Sequence, residues 1–248
     1  MENQILEIYK EIEEAKEIIV FTGAGVSTNS GIPDFRSENG LYATVEKQYN
    51  LPYPEAIFDI EYFPKNPYPF FHLSKLLLSK DVKPTISHKF LAWLEEKEKK
   101  VFIITQNIDM LHTKAGSKNI LECHGTYKKG HCLHCKKEFS LEEYKHFIFE
   151  ESIPKCSCGG IIKPDIVFYG EMLPKEFYDF YENIPSEKLV LILGSSLTTE
   201  PAASLARNLA RYNKSILINY TKILYDKEFD YKIYGDLDNV FQDIWNLF

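Results

Sequence analysis

Arginine is nearly missing from this chain. It stands at positions 36, 207 and 211 only, and acidic residues outnumber basic ones 36 to 29, for a net charge of −7. That balance offers no basic face to a phosphate backbone, so a nucleic-acid binder, a zinc-ribbon one included, is disfavoured, while a basic peptide partner suits it. No apolar run is long enough to span a bilayer. Residues 2–16 carry Ile5, Ile8, Ile12 and Ala15 at helical spacing, an acidic amphipathic helix rather than a signal peptide. Internal repeats and low-complexity tracts are lacking. Cysteines number only five, and four fall in close pairs, which argues for metal over disulfides. The expectation from these absences is a cytoplasmic monomer with no membrane partner and no need of nucleic acid, with access to the nucleus left open.

What is present is alternation. Apolar, β-branched runs at 17–22, 101–105, 120–123, 189–193 and 215–219 predict buried strands, with a brief extended segment at 166–169. Helices are predicted over 85–98, 140–149, 201–213 and 238–247. Continuous apolar strands between helices imply an α/β fold with a parallel sheet covered on both faces. Residues 39–92 read differently, rich in aromatics and punctuated by proline, as a compact helical insert with its own small core.

Ligands in such sheets gather at the carboxyl ends of the strands. Gly23, Gln106, His124, Gly194 and Asn219 all fall at such ends. Gly23-Ala24-Gly25 after a buried strand, then Ser27 and Thr28 in a first helical turn, is a way to hold a dinucleotide pyrophosphate. Thr28 stands where a third glycine would complete the fingerprint, so a tight turn without ligand is the plain alternative. Asp34, Phe35 and Arg36 behind Pro33 form a loop suited to closing over a ligand. Gln106, Asn107, Ile108 and Asp109 place amides and a carboxylate where ribose hydroxyls and a carboxamide can be met; a helix cap is the alternative. His124 can exchange a proton, His112 reads as structural, and Cys123 as a small buried hydrophobe. Gly194-Ser195-Ser196 repeats the strand–glycine device with hydroxyls. Cys132-x2-Cys135 and Cys156-x-Cys158 suit tetrahedral zinc held by four thiolates. Such a closed site is structural rather than catalytic.

Taken together, Gly23 to Arg36, Thr105 to Asp109, His112-x-x-Ala-Gly116, Glu122-Cys-His-Gly125, the cysteine knuckles, Lys163 to Glu171, Gly194 to Leu197 and Ile218-Asn219 resemble the sirtuins. These are NAD-dependent protein lysine deacylases, and the insert looks most like their deacetylase branch. The resemblance implies a Rossmann-like NAD-binding domain (1–38, 93–125 and 164–248). It also implies a smaller domain made of a helical module (39–92) and a zinc-binding module (126–163). It makes NAD a co-substrate, zinc structural and an acylated lysine peptide or protein the partner. His124 becomes the general base, with Asn107 and Asp109 beside it. Gly23, Ala24, Gly25, Ser27, Asp34, Phe35, Arg36, Gln106, Ile108, Gly194, Ser195, Ser196, Asn219 and Leu237 become cofactor contacts. Val167, Phe168, Tyr169, Gly170 and Glu171 become the peptide-pairing strand.

The chain departs from the family pattern in Cys123 for leucine, Ser195 for threonine and Tyr169 for phenylalanine. The relatives that remove succinyl or malonyl groups carry a Tyr-x-x-Arg pair, and no arginine lies between 37 and 206 here. Neutral acyl groups, acetyl first, are therefore expected. A mono-ADP-ribosyltransferase on the same scaffold and a non-catalytic NAD or ADP-ribose sensor stand as alternatives.

Overall fold

The computed structural model describes residues 2–34, 40–79 and 82–248. In chain order the regular elements are α1 (Glu2–Glu14), β1 (Glu17–Thr22), α2 (Leu41–Tyr49), α3 (Tyr68–Leu77), α4 (Ile86–Glu96), β2 (Lys100–Thr105), α5 (Leu111–Ala115), β3 (Ile120–Glu122) and β4 (Gly125–Cys132). Then come β5 (Glu138–Ser140), α6 (Leu141–Phe149), β6 (Ile162–Ile166), α7 (Lys175–Glu182), β7 (Leu189–Leu193), α8 (Ala202–Tyr212), β8 (Lys214–Asn219), β9 (Tyr231–Tyr234) and α9 (Leu237–Trp245).

The apolar runs pair in parallel into a six-stranded sheet of order β3-β2-β1-β7-β8-β9. Both faces of the central strands are covered, which is why β1 and β7 read as unbroken apolar segments. One face meets α1, α4 and α9 through Ile8, Ile12, Phe90, Leu94, Phe241 and Ile244. The other meets α7 and α8 through Phe177, Leu205, Ala206 and Leu209. The chain winds outward in one direction from β1 and in the other from β7. The crevice for a ligand therefore opens where these two neighbours end, at Gly23 and Gly194.

A second sheet, β5-β4-β6, is antiparallel and packs with α3 and α6. Its core is aromatic. Phe58, Phe63, Phe70 and Phe168 meet edge to face, with centroids from 5.0 Å (Phe70–Phe168) to 5.9 Å (Phe58–Phe70). The same cluster takes in Tyr127, Tyr144 and Ile162, so the aromatic insert and the cysteine module share one core rather than holding one each.

Three expectations change. The boundary drawn at 92 cuts α4, whose Phe90, Leu91 and Leu94 are wholly buried in the core of the parallel sheet. The boundary at 163 falls inside β6, which ends at Ile166. The edge strand β9 was not foreseen, because only Ile233 of its four residues is buried.

Candidate active site

The turn after β1 is not an α-helix. Two 3₁₀ turns follow, Ala24–Val26 and Thr28–Ser30, so the expected first helical turn carrying Ser27 and Thr28 is replaced by tighter coils. The cause lies across the crevice. Gly23 N–H donates to the Leu193 carbonyl at 3.0 Å and Gly25 N–H to the Gly194 carbonyl at 2.8 Å. The loop is thus stapled to the end of β7. A Cβ on Gly25 would stand 2.7 Å from Gly194 Cα, and one on Gly194, whose φ is +59°, would stand 2.6 Å from Gly25 C. Here glycine is required by backbone meeting backbone.

Against this loop lies a cavity of about 1110 Å³ lined by Gly23, Ala24, Gly25, Asp34, Gln106, Asn107, Ile108 and His124. Gly194, Ser195, Ser196, Asn219 and Leu237 line it too, as do residues 166–171. Most of the predicted contacts therefore converge on one space. Phe35 and Arg36 lie outside the described residues.

Ser27 and Asp109 do not line the cavity; they hold what does. Ser27 Oγ donates to Asp109 Oδ2 at 2.6 Å and accepts from Asn107 Nδ2 at 3.1 Å, and Asn107 Nδ2 also reaches the Gly23 carbonyl at 3.1 Å. Leu111 N–H donates to Asp109 Oδ1 at 2.8 Å, so the capping alternative holds for one carboxylate oxygen only. Burial raises the Asp109 pKa above the usual carboxylate value. Asn219 is likewise a brace: its side chain accepts from Ser195 N–H at 2.9 Å and donates to the Ser195 carbonyl at 2.8 Å. Ser195 Oγ then donates to Gln106 Oε1 at 3.0 Å. The helix predicted over 201–213, α8, begins at Ala202, after a cis Glu200–Pro201 bond.

His124 sits where the chain leaves β3 for β4. Gly125, at φ +78°, makes that turn; a Cβ there would come within 2.0 Å of the Asp165 carbonyl oxygen. His124 Nδ1 lies 3.0 Å from the Gln106 carbonyl, which can only accept, so Nδ1 carries the proton and Nε2 the basic lone pair. Cys123 beside it is wholly buried. Its thiol donates to the Thr105 carbonyl, and burial pushes its pKa up to about 12, as befits an inert hydrophobe.

The segment after β6 hangs between two anchors. Val167 N–H donates to the His124 carbonyl at 2.9 Å, and Tyr169 exchanges backbone hydrogen bonds with Phe58 (2.7 Å) and Ile60 (3.2 Å). Beneath it, Lys163 Nζ meets the Ile166 carbonyl at 2.7 Å and Glu171 Oε2 at 2.9 Å, and that carboxylate also takes the Phe168 N–H. The side chains of Phe168 and Glu171 are thus engaged in holding the segment, while Tyr169 is exposed beside the cleft. Tyr42 also lines the cavity, its hydroxyl 3.3 Å from that of Tyr169. No pattern singles it out among sixteen tyrosines. Lys222 and Tyr220, beyond the end of β8, are further lining residues that strand-end reasoning stopped short of.

The four paired cysteines come together, all sulfurs within 4.8 Å of one another. Cys132 and Cys158 are 3.4 Å apart and Cys135 and Cys156 3.6 Å. Those spacings exceed a disulfide and match the edge of about 3.8 Å expected for thiolates 2.3 Å from zinc. Backbone N–H groups, that of Cys135 foremost, draw the Cys132 pKa down to about 6, toward the thiolate a metal needs. A Cβ on Gly160 would crowd Cys132 Sγ at 2.6 Å. The set fits one zinc ion with no position left for water.

Fold and site together define an α/β nucleotide-binding protein with a smaller, metal-stabilised unit closing one side of its cleft. The profile of the Sir2 family matches residues 23–201, and the chain belongs to that family. It is 46% identical over 216 residues to the NAD-dependent protein deacetylase sirtuin-2 of Danio rerio, which is 84% of this chain and 57% of that protein. To sirtuin-1 of Homo sapiens it is 38% identical over 250 residues, 98% of this chain and 33% of that protein. The chain thus spans about half the length, or less, of these relatives. Among solved structures, one on the mechanism and regulation of Sir2 enzymes superposes with a TM-score of 0.85 at 34% identity over 100% of both chains. Sir2 with a p53 peptide and NAD+ gives 0.81 at 33% over 97% of both. A Sir2 variant with a deacetylated p53 peptide and 3′-O-acetyl ADP-ribose gives 0.83 at 34% over 98% of both.

Proposed function

We propose that this chain is an NAD-dependent protein lysine deacetylase that moves the acyl group from lysine to ADP-ribose and releases nicotinamide. One observation carries the reading: an imidazole with its lone pair on Nε2, the Asn107 amide, the glycine loop and the segment 166–171 border a single cavity. NAD, as co-substrate, supplies an anomeric carbon whose bond to nicotinamide breaks as the acyl oxygen attacks it. The glycine loop and Ser195–Ser196 receive the phosphates and ribose. Asn107, fixed by Gly23 and Ser27, faces the carboxamide end. Residues 167–171 lay the peptide beside it by strand addition. His124 takes the proton of a ribose hydroxyl at Nε2, so that this oxygen can accept the acyl group.

The proposal extends to substrate range and setting. A buried anionic acyl group without a cation is costly, and the insert holds no arginine, which supports acetyl over succinyl. Four reduced thiolates at a metal suit the cytoplasm. The test is a set of acetyl, succinyl and myristoyl versions of one peptide with NAD, for wild type and His124→Ala. Acetyl is expected to be cleaved faster than succinyl, with the variant slower by about 10²- to 10⁴-fold. A succinyl preference overturns the range, and an unimpaired variant overturns the mechanism.

A further inference from the structure

Behind Asn107 runs a second, wholly buried chain of polar groups that touches nothing in the cavity. Asn107 N–H donates to Thr105 Oγ1 at 3.0 Å, Thr22 Oγ1 donates to the same atom at 2.8 Å, and His112 Nε2 lies 3.0 Å from Thr22 Oγ1. The ring of His88, on α4, is 4.5 Å from that of His112, centroid to centroid. His88 Nε2 and His112 Nδ1 are the two buried ring nitrogens, among the described residues, without a hydrogen-bond partner.

Proton bookkeeping along the chain has a direction. The Thr85 backbone N–H can only donate, and it points at His88 Nδ1 at 3.3 Å. The Thr85 hydroxyl stands 2.7 Å from the same nitrogen and 3.0 Å from the Val26 carbonyl. The Thr85 hydroxyl gives its one proton to the Val26 carbonyl, so Nδ1 meets both a donor N–H and a lone pair of Oγ1, and the direction of the chain is set at its other end, by Thr22. Thr22 spends its one proton on Thr105 Oγ1, so the His112 nitrogen facing it is the donor: His112 carries its proton on Nε2 and leaves Nδ1 bare. That proton goes to Thr22, and the Thr22 hydroxyl is left to donate to Thr105. Burial agrees: it holds the His88 pKa down to about 3 and that of His112 well below the ordinary value.

We propose that His112 is a positioning residue for the nicotinamide end of the site: as the Nε2–H tautomer, it orients the Thr22–Thr105 hydroxyl pair that fixes the backbone of Asn107. The proposal rests on reading the cavity as an NAD site.

Nitrogen-15 spectra of the histidine rings in the zinc-loaded wild-type protein test it without turnover. His112 is expected to be a neutral Nε2–H tautomer, and neither His88 nor His112 to titrate between about pH 5.5 and 8. An Nδ1–H tautomer at His112, or titration in that range, overturns it. Calorimetric binding of NAD and, separately, of an acetylated peptide adds a second readout. Thr22→Val and His112→Phe are expected to weaken NAD about tenfold, the worth of one buried hydrogen bond. Peptide affinity is expected to stay within about twofold, and His112→Gln, whose amide can donate in place of Nε2, to recover most of the NAD loss. Equal weakening of both ligands, or no recovery with glutamine in a folded variant, overturns it. Should wild type bind NAD with the predicted tautomer yet cleave no peptide, the deacetylase reading fails and the positioning role stands.

Discussion

Asp109 shows how a single side chain can be costly to the fold and needed by the site. Its carboxyl is buried, which raises its pKa, so between the ordinary carboxylate value and the raised one the folded state holds the proton more tightly than the unfolded chain. Stability therefore falls as pH rises through that window, so ionising this carboxyl is an expense to the fold. It is kept because both oxygens are engaged, by Ser27 Oγ and by Leu111 N–H, and the first of these holds Asn107. Asp109→Asn removes the charge and keeps an acceptor for Leu111. Its Tm is expected to move by no more than about 4 °C in calorimetry. The deacetylation rate is expected to fall by on the order of a hundredfold as Asn107 loses its fixed partner. A large loss of Tm with an unchanged rate would assign Asp109 to the fold alone. At this scale the sequence pointed, by their place at strand ends, to residues that the structure gathers around one cavity, but not to their division of labour. Nothing in the letters distinguishes Asn107, which faces the cavity, from Ser27 and Asp109, which stand behind it, because that depends on the turn of a 3₁₀ coil.

At the scale of elements, the glycine loop and the end of β7 form one unit. Gly25 and Gly194 face each other across the switch point, so a side chain on Gly25 meets backbone that cannot step aside. Gly25→Ala is expected to cost about 3 kcal/mol or more in urea unfolding, the upper end for an overpacked site. Gly31 sits at φ +83° with nothing within 4 Å, and Gly31→Ala is expected to cost only about 1 to 2 kcal/mol for its left-handed backbone. Equal costs would show that conformation and not contact governs Gly25. Elements buried on both sides were legible: β1, β2, β7 and β8 are apolar runs whose limits hold to within a residue. Elements defined by one or two contacts were not. The strand β9 buries Ile233 alone, and β4 alternates lysines and glycine around Tyr127 and Cys132. In place of the helix expected after Gly25 stand two 3₁₀ turns, stapled to the carbonyls at the end of β7.

At the scale of the whole molecule, two units meet over one cleft, and the contacts that matter are those no periodicity announces. The aromatic insert was legible as a helical body, yet its core proved to be shared with the cysteine module through Phe168, Tyr127 and Tyr144. Zinc at the four thiolates therefore steadies more than its own knuckles. Phe168 ties that shared core to the segment 166–171, which runs from beside His124 to the edge of the insert. The cleft then joins the glycine loop to the segment 166–171, with the imidazole at their junction. The proposed deacetylation consumes NAD only when the peptide carries an acyl group. The decisive measurement is the balance of products when zinc-loaded protein meets NAD and an acetylated peptide. One nicotinamide and one O-acetyl-ADP-ribose are expected for each lysine uncovered, and no nicotinamide with the unmodified peptide. Nicotinamide released with no loss of acetyl groups, or ADP-ribose found attached to the protein, would contradict the account.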